Sequence, residues 1–228
     1  MSEVPTIHNT NTSVLQKEAT DLLKKLIAIP SFSKEEDKTA LLLTQFFTDK
    51  NIVAQLQALG VNAMGLSGVD GNLIQAHKRN HASIDYGFVG DIDAVNTDLV
   101  LQLLSTNTKL VVAPITHDGK GQLLNTNADT IAQSLATALA SKYKVHLMYG
   151  FEKEGVLKDI NEPSSVIAHI DRPLYISLKN QKLIFEGMIP KIDNAFEALD
   201  KGVASVIIGK AEKMNELING TSGTTITK

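Results

Sequence analysis

The chain has 228 residues, of which 43% are hydrophobic, with a formal net charge of −3 and no cysteine. That apolar share is ample for a packed core and argues against disorder over most of the chain, and the length allows one or two domains. A slightly acidic balance without a dense Lys/Arg block argues against a nucleic-acid surface, and the lack of thiols excludes disulfides, zinc fingers and thiol chemistry. Residues 1–13 are polar and hold no apolar segment of the signal-peptide kind. No apolar run approaches the ~20 residues of a membrane span. A cytoplasmic protein is expected, without contacts to nucleic acid or membrane.

In chain order, Thr12 or Ser13 caps a helix whose apolar positions, Leu15, Ala19, Leu22, Leu23, Leu26 and Ile27, lie on one side, and Pro30 stops it. Ser33-Lys-Glu-Glu36 is a capping-box pattern that opens a second helix through Phe46 and Phe47. A third helix over 52–59 ends at Gly60. The texture then changes. Residues 61–66 read as a short strand, Gly65 to Gly71 as a tight turn in preference to a phosphate loop, since it fits no phosphate-binding glycine pattern, and 72–78 and 86–95 as a hairpin or meander. A helix over 97–104 precedes the apolar run 109–114, which has no alternation and reads as a buried strand. His117 to Gly121 reads as a plain turn. A helix over 129–141, a strand over 144–149, a loop through Gly155, a helix over 190–201 and an apolar strand over 204–208 follow. The tail from Gly220 to Lys228 reads as a polar, Gly/Thr-rich segment.

Non-alternating apolar strands separated by helices imply strands covered on both faces. The expected fold class is α/β, a three-layer αβα sandwich with a mainly parallel sheet. Ligands in such sheets bind at the carboxyl ends of strands, often at a helix N-terminus. Two helix starts therefore stand out. Asn125, Asn127 and Asp129 are ordinary capping residues, and they equally suit a site in which Asn125 holds a substrate and Asp129 orients lysines. Lys191 follows Pro190 in a first turn, where the helix dipole disfavours a cation. It is either a solvated side chain or a contact for an anion, and phosphoryl transfer needs such a charge. His169 and Asp171 form no metal constellation with the other scattered histidines. No nucleophile-elbow motif is present.

Seven segments in order resemble the acetylglutamate kinases, a branch of the amino-acid kinase family. They are Gly65–Ile74, Asp85–Gly90, Val112–Ile115, Asn125–Thr130, Gly155–Leu157, Gly187–Lys191 and Gly223–Ile226. The resemblance covers residues from about 50 to 228, with wording like the Bacteroidetes type at Asn51–Gln55 and Phe151–Leu157. It implies the amino-acid kinase fold without its first strands, ATP with Mg2+ as cofactors, and an N-acyl-L-glutamate (acetyl or succinyl) as substrate in arginine biosynthesis. It implies that Asn125 binds the acyl-glutamate, that Asp129 organises the catalytic lysines and that Lys191 stabilises the transferring phosphoryl group. Glu152, Lys153, Gly155, Leu157, Leu183, Ile184, Phe185 and Met188 are implied to hold the nucleotide. A homodimer is left open.

Residues 14–50 instead resemble the opening of M20-family amidohydrolases of the acetylornithine deacetylase type, through Ala19–Ser31 and Phe32–Thr39. Two units are therefore expected, a helical segment over 1–50 and a kinase-like domain over 51–228, with a seam near Thr48–Asn51. Residues 1–50 contain no glycine, so the glycine-rich loops and the first lysine of the kinase family have no counterpart there. Kinase ancestry with weak turnover is expected. The alternatives are nucleotide binding without transfer and, last, a deacetylase, for which no metal ligands are found.

Overall fold

The computed structural model describes residues 52–228, apart from Ile160, Pro163 and Phe185. The two helices expected before residue 50, and the segment 1–50 as a unit, lie outside the described residues. Helix α1 (Ile52–Ala58) ends before Gly60, whose φ of 76° lies in the left-handed region. Strand β1 (Ala63–Leu66) then pairs in parallel with β4 (Lys109–Val112).

Between them, β2 (Ile74–Lys78) and β3 (Gly90–Val95) form the expected antiparallel pair, with a bulge between Gln75 and Ala76. Helix α2 (Thr97–Ser105) starts at Asn96, whose side chain accepts from the Leu99 amide. Strand β5 (Ile115–His117) lies parallel to β2 and antiparallel to β6 (Leu123–Asn125). The turn between β5 and β6 is held by Asp118, whose carboxylate accepts from the amides of Lys120 and Gln122 at 2.7 and 3.1 Å. The turn at Gly65–Gly71 also forms. Gly68 is needed there because a Cβ would stand 2.7 Å from the Ile115 carbonyl oxygen.

Helix α3 (Ala128–Leu139) leads to β7 (His146–Phe151). A short strand β8 (His169–Ile170), helix α4 (Arg172–Asn180), helix α5 (Ile189–Asp200), strand β9 (Ser205–Lys210), helix α6 (Met214–Ile218) and strand β10 (Thr224–Ile226) complete the chain order. The last sheet runs β7-β9-β10-β8. Among the described residues, parallel pairings (β1–β4, β2–β5, β7–β9, β8–β10) outnumber antiparallel ones (β2–β3, β5–β6, β9–β10). With helices packed on the strands, this is the expected α/β class. No described helix is long and apolar enough to cross a membrane.

Helix α3 ties the two cores together. Ile131, Leu135 and Leu139 pack with Leu73, Ile74 and Val100 on one side. Ala132, Ala136 and Ala140 pack with Leu147, Tyr149 and the buried stripe of α5 on the other. Each stripe repeats every fourth residue, so the two lie side by side on one helix.

Two expectations differ from the structure, and one helix had not been expected. Lys109 is exposed and residues 110–112 are half-buried rather than buried; β4 has only β1 as a described partner, and Leu110 and Val112 pack on the core. The tail is not simply a polar segment. Thr224 and Ile226 are fully buried in β10, which sits between β9 and β8. Helix α4 was unread, since its burial rests on Tyr175 and Leu178 alone.

Candidate functional site

Asp129 stands in the first turn of α3, where the Asn127 side chain accepts from the amides of Asp129 and Thr130 at 2.8 and 3.3 Å. Asn127 is thus the capping residue of the Asn125–Asp129 cluster. Just before it, buried Thr126 fixes the approach. Its hydroxyl lies 2.8 Å from that of Thr116 and donates to the Gly90 carbonyl at 3.2 Å. Gly90 admits this contact because a Cβ would come within 2.7 Å of the Thr126 hydroxyl oxygen. Asn125 ends β6, its amide donating to the Phe88 carbonyl at 2.8 Å and its side chain exposed.

Lys191 stands in the first turn of α5, after Pro190, at an N-terminus that no side chain caps. The fold brings it to Asp129, Nζ lying 4.0 Å from Oδ2. The same ammonium sits 3.3 Å from the centroid of the Phe151 ring at the end of β7. Phe151 in turn stacks on Tyr149, with centroids 6.0 Å apart. Burial pushes the Lys191 pKa below its ordinary 10.5, and Asp129 opposes that shift. Burial, then the Asp129 charge, pushes the Tyr149 phenol up. Its hydroxyl donates to the Asp129 backbone carbonyl at 3.4 Å.

The side chains of Lys191 and Asp129 are 35% and 46% exposed, so the pair contributes at most about 1 kcal/mol of stability. Its value is positional: it holds a partly desolvated cation at a helix N-terminus, where an anion would bind. Asn125 is near in sequence, but among the described residues its side chain makes no hydrogen bond to either group.

The loop after β7 is anchored from the distant β10. The Val156 amide donates to Thr224 Oγ1 at 2.8 Å, and both residues are fully buried. Gly155 is required at this crossing, because a Cβ there would stand 2.7 Å from Thr224 Oγ1 and 3.2 Å from its amide nitrogen. Glu152 and Lys153 are exposed and Leu157 is half-buried. Ile184 and Met188 share one core with Val156 and Phe151, whereas Leu183 is 44% exposed. Phe185 lies outside the described residues.

Glu154 lies within the stretch 152–157 that the resemblance assigns to the nucleotide, but it was not named as a site residue. It takes a contact from Lys213 at 2.9 Å and one from Lys210 at 3.6 Å, and Lys210 also reaches Glu212 at 2.9 Å. No sequence signal marks it, because the partners are contributed by β9 and the turn after it. His169 and Asp171 have structural roles: His169 Nε2 lies 2.9 Å from the Thr227 hydroxyl, and Asp171 caps α4 by accepting from the Leu174 amide. Among the described residues no cluster of three His, Cys, Asp or Glu side chains is placed to hold a metal ion.

The sequence profile described as "Amino acid kinase family" matches residues 16–210, so the match begins ahead of residue 50. An acetylglutamate kinase of Parabacteroides distasonis is 52% identical over 168 residues, covering 74% of this chain and 66% of that enzyme. One from Phocaeicola vulgatus is 51% identical over 180 residues, covering 79% and 68%. Against the Parabacteroides distasonis and Cytophaga hutchinsonii relatives, the chain spans only 66% and 65% of their length. Among solved structures, smu.665 from Streptococcus mutans UA159 superposes with a TM-score of 0.64 at 27% identity, covering 83% of this chain and 72% of that one.

Proposed function

The chain belongs to the amino acid kinase family, and from that premise we propose that it is an acetylglutamate-kinase-type phosphotransferase. In this reading ATP phosphorylates the side-chain carboxylate of N-acetyl- or N-succinyl-L-glutamate, a step of arginine biosynthesis in the cytoplasm. Residues 51–228 form the kinase-like domain. The observation that carries the proposal is the meeting of Lys191 and Asp129 at two helix N-termini beside Phe151.

Phosphoryl transfer is mostly positioning and charge neutralisation. Lys191 supplies the positive charge that the transferring group needs, and Asp129 keeps the lysine charged and aimed. Asn125, exposed at the end of β6, contacts the acyl-glutamate. Glu152, Lys153, Gly155, Leu157, Leu183, Ile184, Phe185 and Met188 hold the nucleotide. Magnesium would ride on its phosphates, where it neutralises charge. The stretch 1–50 holds no glycine and so no glycine-rich loop of the family's kind, and weak turnover is expected of residues 1–228.

That same stretch favours a second reading, nucleotide binding without transfer. A coupled ADP-release assay with N-acetyl- and N-succinyl-L-glutamate tests both. Slow ADP release that depends on the acyl-glutamate supports the kinase. ATP binding with no acyl-glutamate-dependent release supports the second reading, and no nucleotide binding at all would sink both.

A further inference from the structure

Strands β7 and β9 run in parallel, with Leu147 opposite Val206, Tyr149 opposite Ile208 and Phe151 opposite Lys210. Paired residues of a ladder share a sheet face, and alternate residues of a strand return to it. The face is identified by its core: Leu147, Tyr149, Val206 and Ile208 all pack with α5. Lys210 therefore emerges on the same face as Phe151, and so on the same face as Lys191, whose ammonium lies over the Phe151 ring. Both ammonium groups sit at the carboxyl ends of adjacent parallel strands, the edge at which open α/β sheets take ligands.

Lys210 is neutralised locally. Glu212 lies 2.9 Å from its Nζ and Glu154 3.6 Å, and Glu154 also binds Lys213 at 2.9 Å. The hydrogen bond that Lys210 donates to Glu212 is the chief cause that raises its pKa, so the group stays charged. Glu154 belongs to the loop 152–157, so these ion pairs link that loop to the end of β9, beside its anchor from Val156 to Thr224.

We infer that Lys210 is a second cationic contact for the phosphate chain of a nucleoside polyphosphate, held in reserve by Glu154 and Glu212 until phosphate oxygens replace those carboxylates. This rests on the nucleotide reading of residues 152–157 given above. The exchange makes and breaks no covalent bond. It swaps two carboxylate partners for phosphate, a more highly charged acceptor.

Isothermal titration of the full chain with ATP and with ADP, in excess magnesium, tests the inference. Lys210→Gln weakens both affinities about tenfold, the worth of one charge-assisted contact. Lys210→Arg retains them, and Glu154→Gln tightens them several-fold by removing a competitor. The opposite signs matter, because a merely structural ion pair is broken by either neutral variant and would move both the same way. Wild-type affinity in Lys210→Gln, or weakened binding in Glu154→Gln, overturns the role of Lys210 while leaving the nucleotide site intact. Failure of the unsubstituted chain to bind either nucleotide overturns the site reading and this inference together. If Lys210→Gln melts early, Glu154→Gln still decides the sign.

Discussion

Replacing Thr224 by valine tests how the loop after β7 is held. Valine keeps the volume of threonine but removes the oxygen that accepts from the Val156 amide at 2.8 Å. Both residues are fully buried, so water cannot replace the lost acceptor. A buried amide left without a partner costs about 1–3 kcal/mol. For a chain of this size, each kcal/mol lowers the midpoint of thermal unfolding by about 2–4 °C, which gives a fall of about 2–12 °C for Thr224→Val. Thr224→Ser keeps the acceptor and loses one methyl group, about 1 kcal/mol by transfer energy. The assay is thermal unfolding by circular dichroism together with hydrogen exchange at the Val156 amide. Exchange should quicken in Thr224→Val and stay protected in Thr224→Ser. A valine variant as stable as the parent, with the Val156 amide still protected, would refute the reasoning.

Lys191→Met should cut acyl-glutamate-dependent ADP release by about 10²–10³, the usual cost of a lost preorganised electrostatic contact, while the melting midpoint holds or rises. The rise is expected because the ammonium is partly desolvated; a midpoint that falls by several degrees would count against that view. At the other end of the pH scale, the Ser67 amide and then its hydroxyl hold the Asp70 carboxyl below its ordinary 3.8. A lowered carboxylate pKa contributes stability above 3.8, and that stability is lost as pH falls through the lower folded value. Asp70→Asn should therefore be less stable than the parent at pH 7, with the two converging below pH 3.8; a constant difference down to pH 2 would contradict this. Ile226→Ala, at the fully buried last residue of β10, should cost about 2–5 kcal/mol in urea unfolding. Ile218→Ala, at a position 60% exposed, should stay within about 0.5 kcal/mol.

The elements legible in the sequence were those with a strong local signal. Helix α3 has a cap at Asn127 and two regular apolar stripes, and α5 has Pro190 at its start and Gly202 beyond its end. Both were read to within two residues. The run Ala204–Ile208 announced β9 because every residue from Ser205 to Gly209 is buried. Strand β10 hid because its first residue is a threonine buried for its hydroxyl rather than its apolar surface, which composition cannot distinguish from a polar tail. Helix α4 hid because much of its surface faces solvent. In the candidate site, Lys191 and Asp129 were legible as two helix starts, but their meeting over Phe151 is a product of topology. Glu154 and Lys210 were not legible, since an ion pair between a loop and the end of a distant strand leaves no spacing to read.

The two side-by-side stripes of α3 have a mechanical consequence. One helix serves as a wall for both cores, so neither half can melt without stripping a face from the other, and the described residues are expected to unfold as one cooperative unit. The same wall carries Asp129 at its end. A core substitution on either side that displaces α3 therefore also displaces the Asp129 carboxylate from Lys191.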